Sequence, residues 1–460
     1  MVDGALFTAS EFALAVNGSW EGDLSLLPGQ IGISTDTRQD GKGKLFFALS
    51  GENFDAHNFL DSAAKSGCCA LCIRKDFAGM IPDLPCLKVD NVLTAFQQIS
   101  AFHRRRFPRL TVAGITGSVG KTSTKEMIRA IFNRYTGDPD AVLYTIGNTN
   151  NHIGVPQNLL RLNEKHLFAV IEMGTSSPGE ILPLSLISAP KVAAVNTIAP
   201  CHLEKLGSLD GVAMEKSAVF AGLSEVGVAV IGKNVHGENI LRRAASKYQI
   251  ISFGTDPETC DVAATFDNGT LDESSFTLTF FNARSYKVKW NLSGEHQAAN
   301  AACAAATAYS CGIPEAVIAE GLADTTLPGM RMKRTVIDGV TYINDAYNAN
   351  PASMRALIDL LKNSVPPENL ILCLGGMREL GTNCRQEHEE LLALVHAALP
   401  GVRLVTIGSE FCDLTGNGNC FKASSAAFEA LRAMVRPGDM VVAKGSRGNQ
   451  VELALPEAAR

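Results

Sequence analysis

The chain has 460 residues, of which 46% are apolar and 19% charged, so it is too long for one core and apolar enough to fold throughout, and about three domains are expected. The net charge of −6 argues against nucleic acid as the main partner, though not against anionic small molecules in a local basic pocket. No basic leader and no apolar run of membrane length appears, so a cytoplasmic chain without membrane insertion is expected.

The first block, residues 1–108, reads as a small α/β domain. Strands are expected at Leu45 to Leu49 and Cys69 to Ile73, and helices at Asn58 to Ser66 and Thr94 to Arg105. It ends in His103-Arg104-Arg105-Arg106-Phe107-Pro108, a charge run that reads as a solvated helix end before a proline stop. Ser34-Thr35-Asp36-Thr37-Arg38 and Gly51-Glu52-Asn53-Phe54-Asp55-Ala56-His57 read on their own as polar turns.

The second block, residues 109–327, alternates apolar strands with amphipathic helices in its first half, which means a mainly parallel sheet. An apolar run, Leu110 to Ile115, leads into Thr116-Gly117-Ser118-Val119-Gly120-Lys121-Thr122-Ser123, and a helix-like run, Thr124 to Tyr135, follows. Strand, glycine-rich loop and helix in that order wrap phosphates. The glycines let backbone N–H groups turn inward and the helix start adds positive potential. Lys121 adds a charge, and Thr122 offers a hydroxyl to Mg2+. The general pattern wants a glycine where Ile115 stands.

Next comes Tyr144-Thr145-Ile146-Gly147-Asn148-Thr149-Asn150-Asn151-His152-Ile153-Gly154-Val155-Pro156. Its short amides suit a turn, and they equally suit a polar cradle for a peptide or sugar. The strand Leu167 to Ile171 ends at Glu172, and Val192 to Asn196 is followed by Pro200-Cys201-His202-Leu203-Glu204. Ligands of open α/β sheets sit outside the carboxyl ends of the strands. Lys121, Thr122, Glu172 and His202 are therefore expected to face one crevice, with Glu172 as an oxygen ligand for Mg2+. By spacing alone, Lys216 is a solvated lysine in a helix from Leu209 to Ala221. Ile250 to Phe253, Thr277 to Phe281 and Tyr286 to Trp290 read as a small antiparallel patch before an Ala-rich helix at 296–311.

The third block, residues 328–460, alternates helices with strands at Thr341 to Asn344, Leu370 to Leu374, Val402 to Ile407 and Met440 to Ala443. It is a second, Rossmann-like α/β unit without a dinucleotide loop. Asp345-Ala346-Tyr347-Asn348-Ala349-Asn350-Pro351 caps a helix beginning near Ala352, and could also reach a nucleotide across a domain cleft. The twelve cysteines lie mostly in apolar runs and read as small buried hydrophobes in a reducing compartment. Cys69 and Cys72 share an expected strand and point to opposite faces, so they form no redox or metal pair.

Together these motifs resemble the Mur ligase family, over nearly the whole chain. The resemblance rests on the segments 116–123, 147–156, 200–208 with 213–216, and 345–351, and on the two polar turns of the first block. The segments 147–156 and 345–351 are closest to the member that adds D-alanyl-D-alanine. The resemblance implies an ATP-dependent amide ligase of peptidoglycan precursor synthesis. It would join D-alanyl-D-alanine to UDP-N-acetylmuramoyl-tripeptide through an acyl phosphate. It implies ATP held by Gly117, Ser118, Gly120, Lys121, Thr122, Ser123, Asn300, Arg331, Asp345, Tyr347 and Asn348. One Mg2+ would sit on Thr122 and Glu172, and a second on His202 and a carbamylated Lys216. The muramoyl substrate would meet Ser34, Asp36, Arg38, Asn53, Asn148, Asn150 and Asn151. A monomer is expected. One departure stands out: the family usually has Gly-Asp-Met-x-Glu-Leu-Gly, and this chain has Gly375-Gly376-Met377-Arg378-Glu379-Leu380-Gly381. Spacing alone leaves open a nucleotide-driven switch protein.

Overall fold

The structure is a computed structural model. It describes residues 4–460 except 52–53, 272, 293, 363 and 416–418, with the side chains of 382 and 415 also left aside. The expected Asn53 lies outside the described residues. The chain is an α/β protein built on three main sheets, two of which are mostly buried between helices.

The first sheet runs in the order Ser19–Glu21, Cys86–Val89, Ala70–Arg74, Lys44–Phe47, Gly32–Ser34, parallel except at Ser19–Glu21. Its helix Val92–Arg105 starts on an Asn91 cap. The end of that helix is solvated only in part: Arg105 and Arg106 are exposed as expected, whereas the two residues before them are not. His103 and Arg104 are buried. The Arg104 guanidinium donates to the carbonyls of Ser188 and Phe107 at 3.1 and 2.8 Å. Three free carbonyls elsewhere in the fold gave this cation a buried seat.

The central sheet has nine strands. Its parallel part runs Val142–Tyr144, Phe168–Glu172, Thr111–Thr116, Val192–Val195, Val228–Gly232, Gln249–Gly254. The loop strand Thr111–Thr116 thus has Phe168–Glu172 on one side and Val192–Val195 on the other. Gln249–Gly254 is parallel, so the expected antiparallel patch excludes it. The patch is made by Val262–Gly269, Ser274–Phe280 and Arg284–Trp290. Val262–Gly269 has no strand-like alternation in the sequence, because only its first three residues are buried. The helix Glu295–Ser310 lies under the sheet as a nearly unbroken run of buried alanines.

The third sheet runs Lys333–Ile337, Val340–Asn344, Met440–Lys444, Leu370–Gly375, Arg403–Ile407, Cys420–Phe421. Only the first pair is antiparallel. Cys412 and Cys420 form a disulfide, which corrects the reading of all cysteines as reduced. Most of the other cysteines are buried.

Candidate active site

The loop after Thr111–Thr116 owes its shape to two glycines. Gly117 has φ +152° and Gly120 φ +78°. A Cβ on Gly120 would stand 2.2 Å from Asn300 Oδ1 and 2.3 Å from Asn196 Nδ2, so only glycine fits. The loop is tied to the turn after the neighbouring strand. Ser118 N–H donates to Thr197 O at 2.7 Å, and its hydroxyl donates to Ala199 O at 2.9 Å. The helix Lys121–Thr136 begins directly on the loop, so its unpaired N–H groups, Ser123 among its first turn, open at the loop. Lys121 is half-buried and curls back, its Nζ donating to Gly117 O at 2.7 Å and Ser118 O at 3.1 Å. Burial pushes its ammonium toward the neutral form, and Glu172 opposes that.

Glu172 closes its strand beside this loop, in register with Ile115. It is buried, and the Thr122 hydroxyl donates to it at 3.0 Å while Asn150 Nδ2 donates at 2.8 Å. Two residues from separate stretches therefore meet on one carboxylate. Asn196, at the tip of the other flanking strand, donates to Thr124 Oγ1 and Asn300 Oδ1 at 3.1 and 2.8 Å. Asn300 supports the loop from beneath.

Lys216 corrects its sequence reading. It is buried, not solvated. Its helix Leu209–Ser217 is held by the neighbouring Glu215, whose carboxylate accepts from Gly179 N and Ile181 N at 2.6 and 2.8 Å. Burial first, and the charge of Lys121 second, bring the Lys216 ammonium down to about 7. Cys201 lies in the electrostatic field of both lysines. The adjacent His202 takes left-handed backbone, φ +52°. Its ring does not turn to Glu172: Nδ1 lies 2.6 Å from Glu379 Oε2 of the third sheet's loop. Among the described residues no cluster of three or more His, Cys, Asp and Glu side chains stands ready for a cation.

From the third sheet, Arg331 stacks on the Tyr347 ring at 3.9 Å. Its Nε is buried without a partner. The Tyr347 hydroxyl, raised by burial, senses Glu172 across the crevice. Asp345 pairs with buried Lys444 at 2.6 Å, and Asn348 O accepts from the same ammonium at 3.1 Å. The Asn348 side chain accepts from Ala349 N, and Asn350 caps the helix Pro351–Leu361.

The residues expected to hold the muramoyl substrate fall into two groups. Ser34 and Asp36 line a cavity of about 220 Å³ together with Thr149 and Asn158. Arg38 is exposed and grips Asp36 through two 2.8 Å bonds, which holds that carboxyl down at about 2. Asn150 belongs with Glu172. Asn151 Oδ1 accepts from Gly154 N at 2.8 Å, and Asn148 is exposed on the turn.

The family's aspartate position is Gly376. A Cβ there would meet Glu410 Cδ and Oε2 at 2.7 Å. A carboxylate from another helix thus fills the space beside Gly376. Asn196, Glu215, Lys444 and Glu410 carry no local signal in the sequence, because each acts on a partner distant in the chain.

Comparison with known proteins gives one consistent result. Residues 115–308 match the Mur ligase middle domain, and residues 330–447 the Mur ligase glutamate ligase domain. The UDP-N-acetylmuramoyl-tripeptide–D-alanyl-D-alanine ligase of Escherichia coli (strain K12) is 34% identical over 453 residues, covering 97% of this chain and 96% of that protein. The crystal structure of MurF from Acinetobacter baumannii superposes with a TM-score of 0.88 at 31% identity, over 98% of each chain. MurF from Thermotoga maritima, solved in complex with ADP, shares the fold with a TM-score of 0.79 at 23% identity, over 92% of this chain and 95% of that one.

Proposed function

The chain belongs to the Mur ligase family, and from that premise we propose how its residues carry the reaction. It is an ATP-dependent ligase that joins D-alanyl-D-alanine to UDP-N-acetylmuramoyl-tripeptide, giving the pentapeptide precursor, ADP and phosphate. The observation that carries the assignment to this chain's own residues is the convergence of Thr122 and Asn150 on Glu172, beside the Lys121 loop.

A carboxylate is a poor acyl donor because oxide would have to leave. In the first step a tripeptide carboxylate oxygen attacks the γ-phosphorus of ATP, the bond to the β-phosphate oxygen breaks, and ADP leaves. In the second, the dipeptide amine attacks the acyl carbon, the carbon–oxygen bond to phosphate breaks, and one proton is released. Both steps gather negative charge, so stabilisation is mainly electrostatic. Lys121 is bent over its loop and needs only to swing from two carbonyls to phosphate oxygens. Gly117, Gly120 and Ser123 offer backbone N–H groups, while Ser118, tied to Thr197 and Ala199, and Asn300 hold the loop in shape. Arg331, Asp345, Tyr347 and Asn348 are the third sheet's contribution around the nucleotide, and the unpartnered Arg331 Nε suits an anion there.

Mg2+ fits the donors present: a hydroxyl and a carboxylate, Thr122 and Glu172, are hard oxygen ligands. Bound there, it would offset phosphate charge. A second ion would fall to His202 and Lys216. As an ammonium Lys216 cannot bind metal, but its neutral amine, accessible near neutral pH, can take up CO2 and release a proton to give an anionic carbamate. Its place at about 7 supports that reading. We assign residues 1–108 to the uridine nucleotide, 109–327 to ATP and 328–460 to closure over it, with Ser34, Asp36, Arg38, Asn148, Asn150 and Asn151 toward the muramoyl peptide. We infer a monomer in the cytoplasm, in keeping with a chain whose described helices include none long and apolar enough to cross a membrane.

The test is phosphate release by the full chain with ATP and Mg2+. Release that needs both the UDP-muramoyl tripeptide and D-alanyl-D-alanine, with the pentapeptide mass as product, is expected. Substrate-independent hydrolysis would instead indicate a nucleotide-driven switch.

A further inference from the structure

Arg161 lies in the cavity between the first sheet and the amide-rich segment, half-buried and without a carboxylate partner among the described residues. Its Nη1 donates to Tyr144 O at 3.1 Å and to Asn158 Oδ1 at 3.0 Å. The Nε and Nη2 donors have no protein acceptor among the described residues, and neither is sealed from solvent. That leaves the flat, two-donor edge of the guanidinium facing open space.

The geometry around it is rigid. Asn158 is buried and spends its amide on Thr149 O, Thr149 Oγ1 and Gly154 O while accepting from Ile146 N. It is therefore saturated and acts to aim Arg161. Across the cavity, Gln157 donates to Thr35 Oγ1 at 3.3 Å and ties the two walls together. Lys44 also lines the space. The lining carboxylate, Asp36, is already gripped by Arg38. Burial pushes the Arg161 guanidinium below its ordinary range, with only the Tyr144 phenol, and no carboxylate, set against it. A desolvated cation with an idle bidentate edge is costly unless something anionic completes it.

We propose that Arg161 is a specificity-determining residue that receives a paired-oxygen anion of the nucleotide substrate in this cavity. The anion is a diphosphate oxygen pair or a peptide carboxylate, both of which match the guanidinium fork. The proposal rests on the ligase reading and deepens it, by assigning an anion subsite to the wall formed by residues 144–161.

The experiment is steady-state kinetics and calorimetry on the full chain with Arg161→Gln and Arg161→Lys, after thermal melts establish that they fold. We expect KM for UDP-muramoyl tripeptide to rise tenfold or more in R161Q, and less in R161K, which keeps charge but loses the fork. The effect should fall on that KM and leave KM for ATP and for the dipeptide near wild type. Substrate binding should also lose part of its salt dependence in R161Q, a change that a merely structural role would not produce. Weakened binding of UDP itself identifies the diphosphate as the anion. Unchanged UDP binding with a weakened tripeptide nucleotide identifies the peptide carboxylate. A folded R161Q with KM and salt slope within twofold of wild type overturns the proposal. So does R161K at wild-type values if R161Q does not fold. If the wild-type chain makes no pentapeptide, the ligase reading fails first and the subsite falls with it.

Discussion

Lys216 is buried within the field of Lys121, and the second cation together with loss of water brings its ammonium down to about 7. An ordinary lysine has no such neighbour and keeps its proton. The sequence-distant pair is held by Glu215, which anchors the helix of Lys216 to Gly179 and Ile181.

This depressed pKa has a stability consequence with a definite sign. Between about 7 and the unfolded value of 10.5, the unfolded chain binds a proton at Lys216 that the folded chain does not. Stability therefore rises with pH across that window and is flat in this group's contribution below it. Lys216→Met should remove this slope and leave a more stable fold near neutral pH. Denaturant unfolding at several pH values checks it. Equal slopes for both proteins would show that Lys216 is not desolvated.

The same neutral amine is expected to capture CO2. With 13C-bicarbonate, a carbamate resonance should appear in the wild-type protein and be missing from Lys216→Met, and removal of CO2 should lower turnover reversibly. A spectrum without that resonance at saturating bicarbonate, on active enzyme, would take carbamylation out of the account.

Lys121→Ala removes the mobile cation of the loop. By analogy with loss of one electrostatic donor, transition-state stabilisation should fall by about 2.7–4 kcal/mol, roughly 10²–10³ in kcat. Single-turnover measurements separate this from a change in nucleotide affinity. Near-normal turnover would place the phosphoryl charge elsewhere.

Gly376 and Glu410 form a pair in which one residue's missing side chain makes room for the other's carboxylate. Gly376→Asp should cost about 1–3 kcal/mol through crowding, with repulsion between the two carboxylates adding to it. Adding Glu410→Ala should return most of that loss. Strictly additive effects of the two changes would mean that the side chains do not compete for the space.

Much of the site could be read before folding was known. The loop Gly117 to Ser123, Glu172 at a strand tip and the Rossmann-like third unit follow from strand alternation and turn residues, which are local signals. What could not be read involves charges made tolerable by remote partners. Arg104 looks solvated until the carbonyls of Ser188 and Ala189 are found beside it. Lys216 looks solvated because helical periodicity counts every lysine as a surface residue. His202 was expected on the metal side of the crevice, and its ring is instead drawn to Glu379. The strand Val262–Gly269 was hidden because its second half faces water.

The central claim is that the tripeptide carboxylate is activated by the γ-phosphoryl group of ATP at the Lys121 loop. It is tested most directly with 18O in that carboxylate, by mass analysis of the phosphorus-containing products. One labelled oxygen per turnover should appear in inorganic phosphate and none in the nucleotide. Label in AMP, or unlabelled phosphate alongside formed pentapeptide, would contradict it.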